Sequence, residues 1–154
     1  VGQPTDLAAT VELEQMCFED PWPASALLGE LMRDQLRFPL VVEVDGVLRG
    51  YLMSWRIESQ LHILNIAVDP QWRRRGLAAA LLVAAAQQAS TWQLTEVTLE
   101  VRRSNAAART FYSRFGLSEV GVRLRYYRSN GEDAIVMTGP VLRILAGNDR
   151  EKPG

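Results

Sequence analysis

Apolar positions recur along this chain with two rhythms, one near 3.6 residues and one of two, and their succession predicts the fold. From Thr5 to about Phe18, Leu7, Val11, Leu13 and the apolar residues beyond them form a helical stripe. Asp20-Pro21-Trp22-Pro23 interrupts it. Pro23 suits the first turn of a second helix, whose buried face would carry Leu27, Leu28, Leu31 and Met32. Pro39 to Val44 predicts a strand, Asp45-Gly46 a hairpin turn and Val47 to Ile57 the returning strand. Leu61 to Val68 is mostly apolar, as a central strand would be, and ends at Asp69-Pro70.

A long helix is expected after Gly76, where Leu77, Leu81, Leu82 and Ala85 repeat at helical spacing among helix-favouring alanines. Thr95 to Val101 alternates, with Val97, Leu99 and Val101 on one face and Thr98, Glu100 and Arg102 on the other. Ser104 is placed to cap a helix that stops at Phe115-Gly116. Leu117 to Tyr126 and Ala134 to Val141 read as an antiparallel pair bent at Asn130-Gly131. The order implies an α/β protein, a mixed sheet with helices on its faces, in one domain over residues 1–146. The polar segment from Gly147 to Gly154 reads as a flexible tail.

Composition narrows the chemistry. A chain of 154 residues with formal net charge −1 offers no global field for nucleic acid or acidic membranes. Lys152 is the only lysine among 17 basic residues, so the rest are arginines, suited to phosphate and not to Schiff-base chemistry. Cys17 and His62 are the only residues of their types, which rules out an internal disulfide and speaks against a zinc cluster. No metal is expected, and His62 is read as a packing or solvent-facing strand residue. The absence of a membrane-length apolar run and of a signal-peptide pattern at Val1-Gly2-Gln3-Pro4 suggests a cytoplasmic protein.

One local pattern carries chemistry. Arg73-Arg74-Arg75-Gly76-Leu77-Ala78 joins the central strand to the long helix. A helix start offers unpaired N–H groups and the positive end of the dipole, Gly76 allows close approach, and the arginines supply charge, so the turn can hold a diphosphate. It lacks the Gly-Lys-Ser/Thr of a P-loop and the glycine spacing of a dinucleotide fold. Taken locally, a solvated basic helix start fits as well.

Arg73-x-x-Gly76-x-Ala78 resembles the pyrophosphate motif of the GNAT acetyltransferases, and it follows Asn65-Ile66-Ala67-Val68-Asp69-Pro70, a strand end typical of them. Leu99-Glu100-Val101-Arg102-Arg103-Ser104-Asn105, Phe111-Tyr112, Tyr126-Tyr127 and Glu132-Asp133-Ala134-Ile135 follow in an order similar to the RimI-type ribosomal-protein alanine N-acetyltransferases. The resemblance covers about residues 5 to 141. Ala78 and Pro23 stand where those relatives often have Gly and Ser, and the first strand of their fold is nearly absent.

The resemblance implies a GNAT fold, a mostly antiparallel sheet splayed where acetyl-CoA enters, and direct transfer of acetyl to an amine with no acyl-enzyme. It implies that Ile66, Ala67 and Val68 line the cofactor, that the Val68 N–H polarises the thioester, and that residues 73–78 (Arg73, Arg74, Arg75, Gly76, Leu77 and Ala78) hold the diphosphate. Asn105 would bind the cofactor, Glu100 would be the general base and Tyr112 the general acid. Glu19, Asp20, Trp22, Tyr126 and Tyr127 would meet the acceptor, expected to be the N-terminus of a ribosomal protein, on a monomer or weak dimer. Local readings stand beside these: Glu100 as a solvated carboxylate, Tyr112 as a boundary tyrosine, Asn105 as support for a helix start. A small-amine acetyltransferase, a non-catalytic acetyl-CoA module, and nucleic-acid binding through Arg73–Arg75 and Arg123–Arg128 are the competing functions.

Overall fold

The computed structural model describes residues 1–18, 20–32 and 34–151, of which 148–151 are described by backbone alone. The described chain runs α1 (Leu7–Cys17), α2 (Ala24–Leu31), β1 (Leu40–Val44), β2 (Val47–Ile57), β3 (Gln60–Val68), α3 (Leu77–Thr91), β4 (Glu96–Arg102), α4 (Ala106–Arg114), β5 (Ser118–Arg123), β6 (Ala134–Pro140) and α5 (Val141–Glu151). The strands follow the sheet order β1-β2-β3-β4-β6-β5. Contacts divide the chain into two compact units, Val1–Ile57 with Ile63–Ala85, and Glu58–His62 with Ala86–Gly154.

In the first unit, β1 and β2 pair antiparallel through a turn whose central residues Asp45 and Gly46 have φ of 54° and 79°. Positive φ at both positions matches the right-handed twist of the two strands. Leu13, Leu27, Leu31, Tyr51, Met53 and Ala67 form the core, with Phe18 and Trp22 packed against it. A fully buried leucine such as Leu27 or Leu31 contributes about 1.5–3 kcal/mol. The N-terminal segment adds no strand: the Gly2 N–H gives a bond of 2.9 Å to the Pro39 carbonyl, just before β1. A 3-10 turn at Pro4–Asp6 precedes α1, so that helix begins two residues later than its stripe predicts.

In the second unit, β4 alternates as its sequence requires. Val97, Leu99 and Val101 are buried, while Glu96, Thr98, Glu100 and Arg102 lie half-buried on the other face. β4 pairs antiparallel with β6, and β6 with β5. Side-chain contacts between β3 and β4 ascend together, Gln60 with Glu96 and His62 with Glu100, so these strands run in parallel. Joining parallel strands takes a crossover, and α3 provides it. The sheet is therefore mixed and mostly antiparallel.

Two expectations change here. β5 ends at Arg123 and not at Tyr126, because Arg125 turns to a φ of 51° while its N–H bonds the Asp133 carboxylate. The segment after Pro140 is also helical. In α5 Val141 and Ile144 are buried, and Gly147 lies against Phe115, where an added Cβ would meet the ring at 3.3 Å. The rest of the expected tail, the side chains of 148–151 and all of 152–154, lies outside the described residues. Gly139 of β6 sits so close to the end of α4 that a Cβ there would stand 2.7 Å from the Gly116 carbonyl oxygen. No helix among the described residues is long and apolar enough to cross a membrane.

Candidate active site

The turn after β3 belongs to the first unit. Asp69 caps a short 3-10 turn by accepting the Gln71 N–H at 3.0 Å, and its other oxygen accepts Arg49 at 3.0 Å. Arg74 then has φ 63° and Gly76 φ 78°, both left-handed. These two positions bend the chain sharply between β3 and α3. Gly76 takes this conformation without the cost a side chain would bring. The first N–H groups of α3, from Leu77, have no intrahelical acceptors and stand as donors.

The three arginines separate by role. Arg73 turns back: its Nε reaches the Val68 carbonyl at 3.4 Å and its Nη2 the Cys17 sulfur at 3.8 Å. Arg75 stacks on Trp72 at 4.5 Å from the ring centroid, and Arg49 lies 4.7 Å from the same ring. Arg74 is exposed and serves the turn through its backbone. Ala67 and Val68 are buried and Ile66 half-buried on β3, while Leu77 and Ala78 form the first turn of α3.

Cys17, placed by sequence only in the first helix, lies beside the end of β3 and donates to the Val68 carbonyl at 3.3 Å. Burial pushes its thiol up against the opposing pull of Arg73. It is a thiol at neutral pH and a poor nucleophile, which suits transfer without an acyl-enzyme.

The first unit also holds a buried carboxylate that periodicity gave no reason to notice. Glu14 is 1 % exposed. It accepts the Tyr51 hydroxyl, the Asn65 amide at 2.8 Å and the Trp22 backbone N–H at 3.0 Å. The segment entering α2 is thereby tied to β2 and β3. Of the acceptor-side candidates there, Asp20 is exposed, Trp22 is half-buried and Glu19 lies outside the described residues.

The second unit holds the two residues expected to move protons, Glu100 and Tyr112. Glu100 projects from β4 with only 10 % of its side chain exposed. Its Oε2 lies 2.7 Å from His62 Nε2, and its Oε1 accepts Arg123 Nε at 3.2 Å. Burial alone would raise this carboxyl. The hydrogen bond and charge of His62, joined by Arg123, outweigh burial and hold it below its ordinary value. Glu100 is therefore anionic at neutral pH. His62, which was assigned no role, is its hydrogen-bond partner, and Arg123 is a second unforeseen neighbour. The two residues of the His62–Glu100 pair lie 38 positions apart, and only the parallel register of β3 and β4 unites them.

Tyr112 stands on α4, edge-on to Phe111 at 5.3 Å between ring centroids. Burial first, then the neighbouring Tyr127, pushes its phenol up, so it keeps its proton at neutral pH. The helix is capped by Asn105 and not by Ser104: Asn105 Oδ1 accepts the Ala108 N–H at 3.1 Å. The Ser104 N–H instead gives a bond of 2.6 Å to Glu132. The amide nitrogen of Asn105 and the second lone pair of its Oδ1 are left to serve the expected cofactor contact.

Tyr126 and Tyr127 lie in the loop after β5, packed edge to face at 5.1 Å. Burial pushes Tyr127 up to about 12, with Tyr126 adding to the effect and Arg102 opposing it. Tyr126 is raised by burial and then by the charge of Glu100, with Arg123 opposing them. Arg102 organises the loop. Its guanidinium lies 4.0 Å from the Tyr127 ring centroid and bonds Asn130, Glu132 and Ser129 at 3.2, 3.3 and 3.0 Å.

The acetyltransferase (GNAT) family pattern matches residues 7–117. The [ribosomal protein bS18]-alanine N-acetyltransferase of Salmonella typhimurium is 33 % identical over 139 residues, covering 89 % of this chain and 93 % of that one. An N-alpha-acetyltransferase of Sulfurisphaera tokodaii is 35 % identical, covering 89 % of each chain. The crystal structure of the Escherichia coli ribosomal-protein-S18-alanine N-acetyltransferase superposes with a TM-score of 0.82 at 30 % identity, covering 89 % of this chain and 88 % of that one. The family pattern and these relatives, matched over most of their length, define the class: this chain belongs to the acetyltransferase (GNAT) family. It is an acetyl-CoA-dependent N-acetyltransferase.

Proposed function

We propose that this protein acetylates the α-amine of a protein N-terminus, and that its acceptor is the N-terminal alanine of a small-subunit ribosomal protein in the cytoplasm. The observation that carries this is the Glu100 carboxylate, kept ionised, with the tyrosines of an Arg102-braced loop within reach of its field. Tyrosine hydroxyls suit a peptide backbone. The similarity to the bS18-alanine N-acetyltransferases, over nearly the whole chain, supports the alanine acceptor.

In this reading the turn from Arg74 to Ala78 grips the diphosphate of acetyl-CoA, which supplies the activated acetyl group. The Val68 N–H polarises the thioester carbonyl. Glu100 draws the proton from the amine, directly or through water, and Tyr112 protonates the departing sulfur. Each such proton transfer is worth about 10²–10⁴ in rate. An α-amine has a pKa near 7.7–8.0 against about 10.4 for lysine, so near neutral pH it is easier to deprotonate by roughly 3.4 kcal/mol. One carboxylate centre suffices for the first and strains at the second.

Mass spectrometry of peptides after incubation with enzyme and acetyl-CoA tests the assignment. A peptide with the ribosomal alanine start should gain one acetyl group at its terminus, and a terminally blocked peptide with internal lysines should gain none. Preferential acetylation of polyamines or aminoglycosides would replace this reading with the small-amine one.

A further inference from the structure

We propose that Arg102 sets the kind of acceptor this enzyme takes: it is a positioning residue that holds the Tyr126–Tyr127 loop in the shape that reads a peptide backbone beyond the reacting amine. The proposal rests on the reading of a protein N-terminus as acceptor and adds the residue that makes a peptide preferable to a bare amine.

The register places it. Glu100 and Arg102 are half-buried on one face of β4, two residues and so about 7 Å apart along the strand. Arg102 pairs with Ala134, the first residue of β6, so it stands where the loop from β5 returns to the sheet. From there one guanidinium meets four residues of that loop. Nη1 donates to Asn130 Oδ1 at 3.2 Å and to Glu132 Oε1 at 3.3 Å, Nη2 donates to Ser129 Oγ at 3.0 Å, and the Tyr127 ring centroid lies 4.0 Å from the guanidinium carbon. A planar fork reaches these partners together, and the compact ammonium of a lysine does not.

The loop is pinned a second time. The other Glu132 oxygen accepts the Ser104 N–H at 2.6 Å, just before α4, and the Tyr127 N–H closes the turn on the Glu132 carbonyl at 3.1 Å. A strand-end arginine that served only to meet water would make none of these contacts. Arg102 keeps 32 % of its side chain exposed.

What the arrangement presents is Tyr126. Tyr127 is half-buried and touches Arg102 on one side and the Tyr126 ring, at 5.1 Å, on the other. Tyr126 keeps 47 % of its surface exposed and is the ring left open to a partner. A phenol can donate to a peptide carbonyl or accept from a peptide N–H. A bare amine brings no backbone and gains nothing from the loop. Contacts remote from the reacting atoms strengthen binding only where the loop is already ordered, because ordering it on arrival would cost much of what they return. Arg102 does that ordering before the acceptor arrives, and it acts through Tyr127 without touching the acceptor.

The test compares two acceptors with the same α-amine, alaninamide and a hexapeptide that begins with alanine. The wild-type enzyme should show the lower KM for the peptide. Arg102→Lys keeps the charge and loses the fork. It should raise the peptide KM about 10-fold, keep kcat and the calorimetric affinity for acetyl-CoA within about 2-fold, and leave alaninamide kinetics unchanged. The double variant Ser129→Ala, Asn130→Ala removes partners from the exposed loop and leaves β4 intact. It should raise the peptide KM in the same direction, and joined to Arg102→Lys it should give less than the product of the separate effects. An unchanged peptide KM in either variant overturns the proposal. So does an equal loss on both acceptors, which would make Arg102 a support of the fold or of the chemistry. A wild-type enzyme that takes both acceptors equally well would leave α-amine transfer standing and end the role given to the loop. One that acetylates neither would remove the proposed function, and this proposal with it.

Discussion

Two carboxylates in the two units face opposite surroundings. Glu14 is 1 % exposed and takes its hydrogen bonds from uncharged donors, a phenol, an amide and a backbone N–H. Glu100 keeps a tenth of its side-chain surface and meets an imidazole and a guanidinium. The first set fastens a helix entry to two strands and offers a proton no route to solvent. The second keeps a charge ready at the edge of water. A glutamate thus becomes a buried clasp or an accessible charge according to its partners, and sequence shows the residue without them.

The contrast can be broken by experiment. Glu100→Gln should cut kcat about 10²–10⁴-fold while acetyl-CoA affinity and the denaturation midpoint barely move, as steady-state kinetics and calorimetry would show. Tyr112→Phe should follow at about 10²-fold in kcat, with cofactor affinity again unchanged. Glu14→Ala should do the reverse. It strands the Tyr51, Asn65 and Trp22 donors, so urea unfolding should record a loss of about 2 kcal/mol, with kcat of the folded fraction little altered. Comparable loss of stability in both glutamate variants would erase the distinction. The smallest effect is on pH. The Glu100 carboxyl is lowered in the fold, so the stability it lends is present above the ordinary carboxylate range and disappears as pH falls through the lowered value. Denaturation midpoints of wild type and Glu100→Gln should therefore show a slight, constant offset above the ordinary carboxylate range that closes as pH falls through the lowered value.

Elements with strong periodicity were legible. β2 has the predicted ends, β3 and β4 lie within a residue of theirs, and the Asp45-Gly46 turn forms with the φ signs its dipeptide favours. The turn between β3 and α3 could be read because Gly76, which takes a φ of 78°, stands where the helix begins. Where tertiary contacts decide, the sequence misled. β5 was drawn too long because Val122 and Leu124 continue an alternation that the Asp133 carboxylate interrupts. α5 was missed because Val141, Ile144 and Gly147 show their helical spacing only once Phe115 is known to lie opposite Gly147. The cap fell one residue late, on Asn105, since Glu132 from a distant loop claims the Ser104 N–H. His62 and Arg123 were silent for the same reason: each matters through a residue on another strand.

Gly139 carries a consequence for how this enzyme can vary. With the Gly116 carbonyl 2.7 Å from where a Cβ would stand, even alanine at 139 must push the end of α4 away from β6. Tyr112 rides on that helix, two turns from its start, and β6 is the strand against which Glu100's own strand is registered. One methyl group at 139 would thus shift the helix that carries Tyr112 relative to the strand paired with that of Glu100. A laboratory search for variants that alter the spacing of these two side chains would find its handle there.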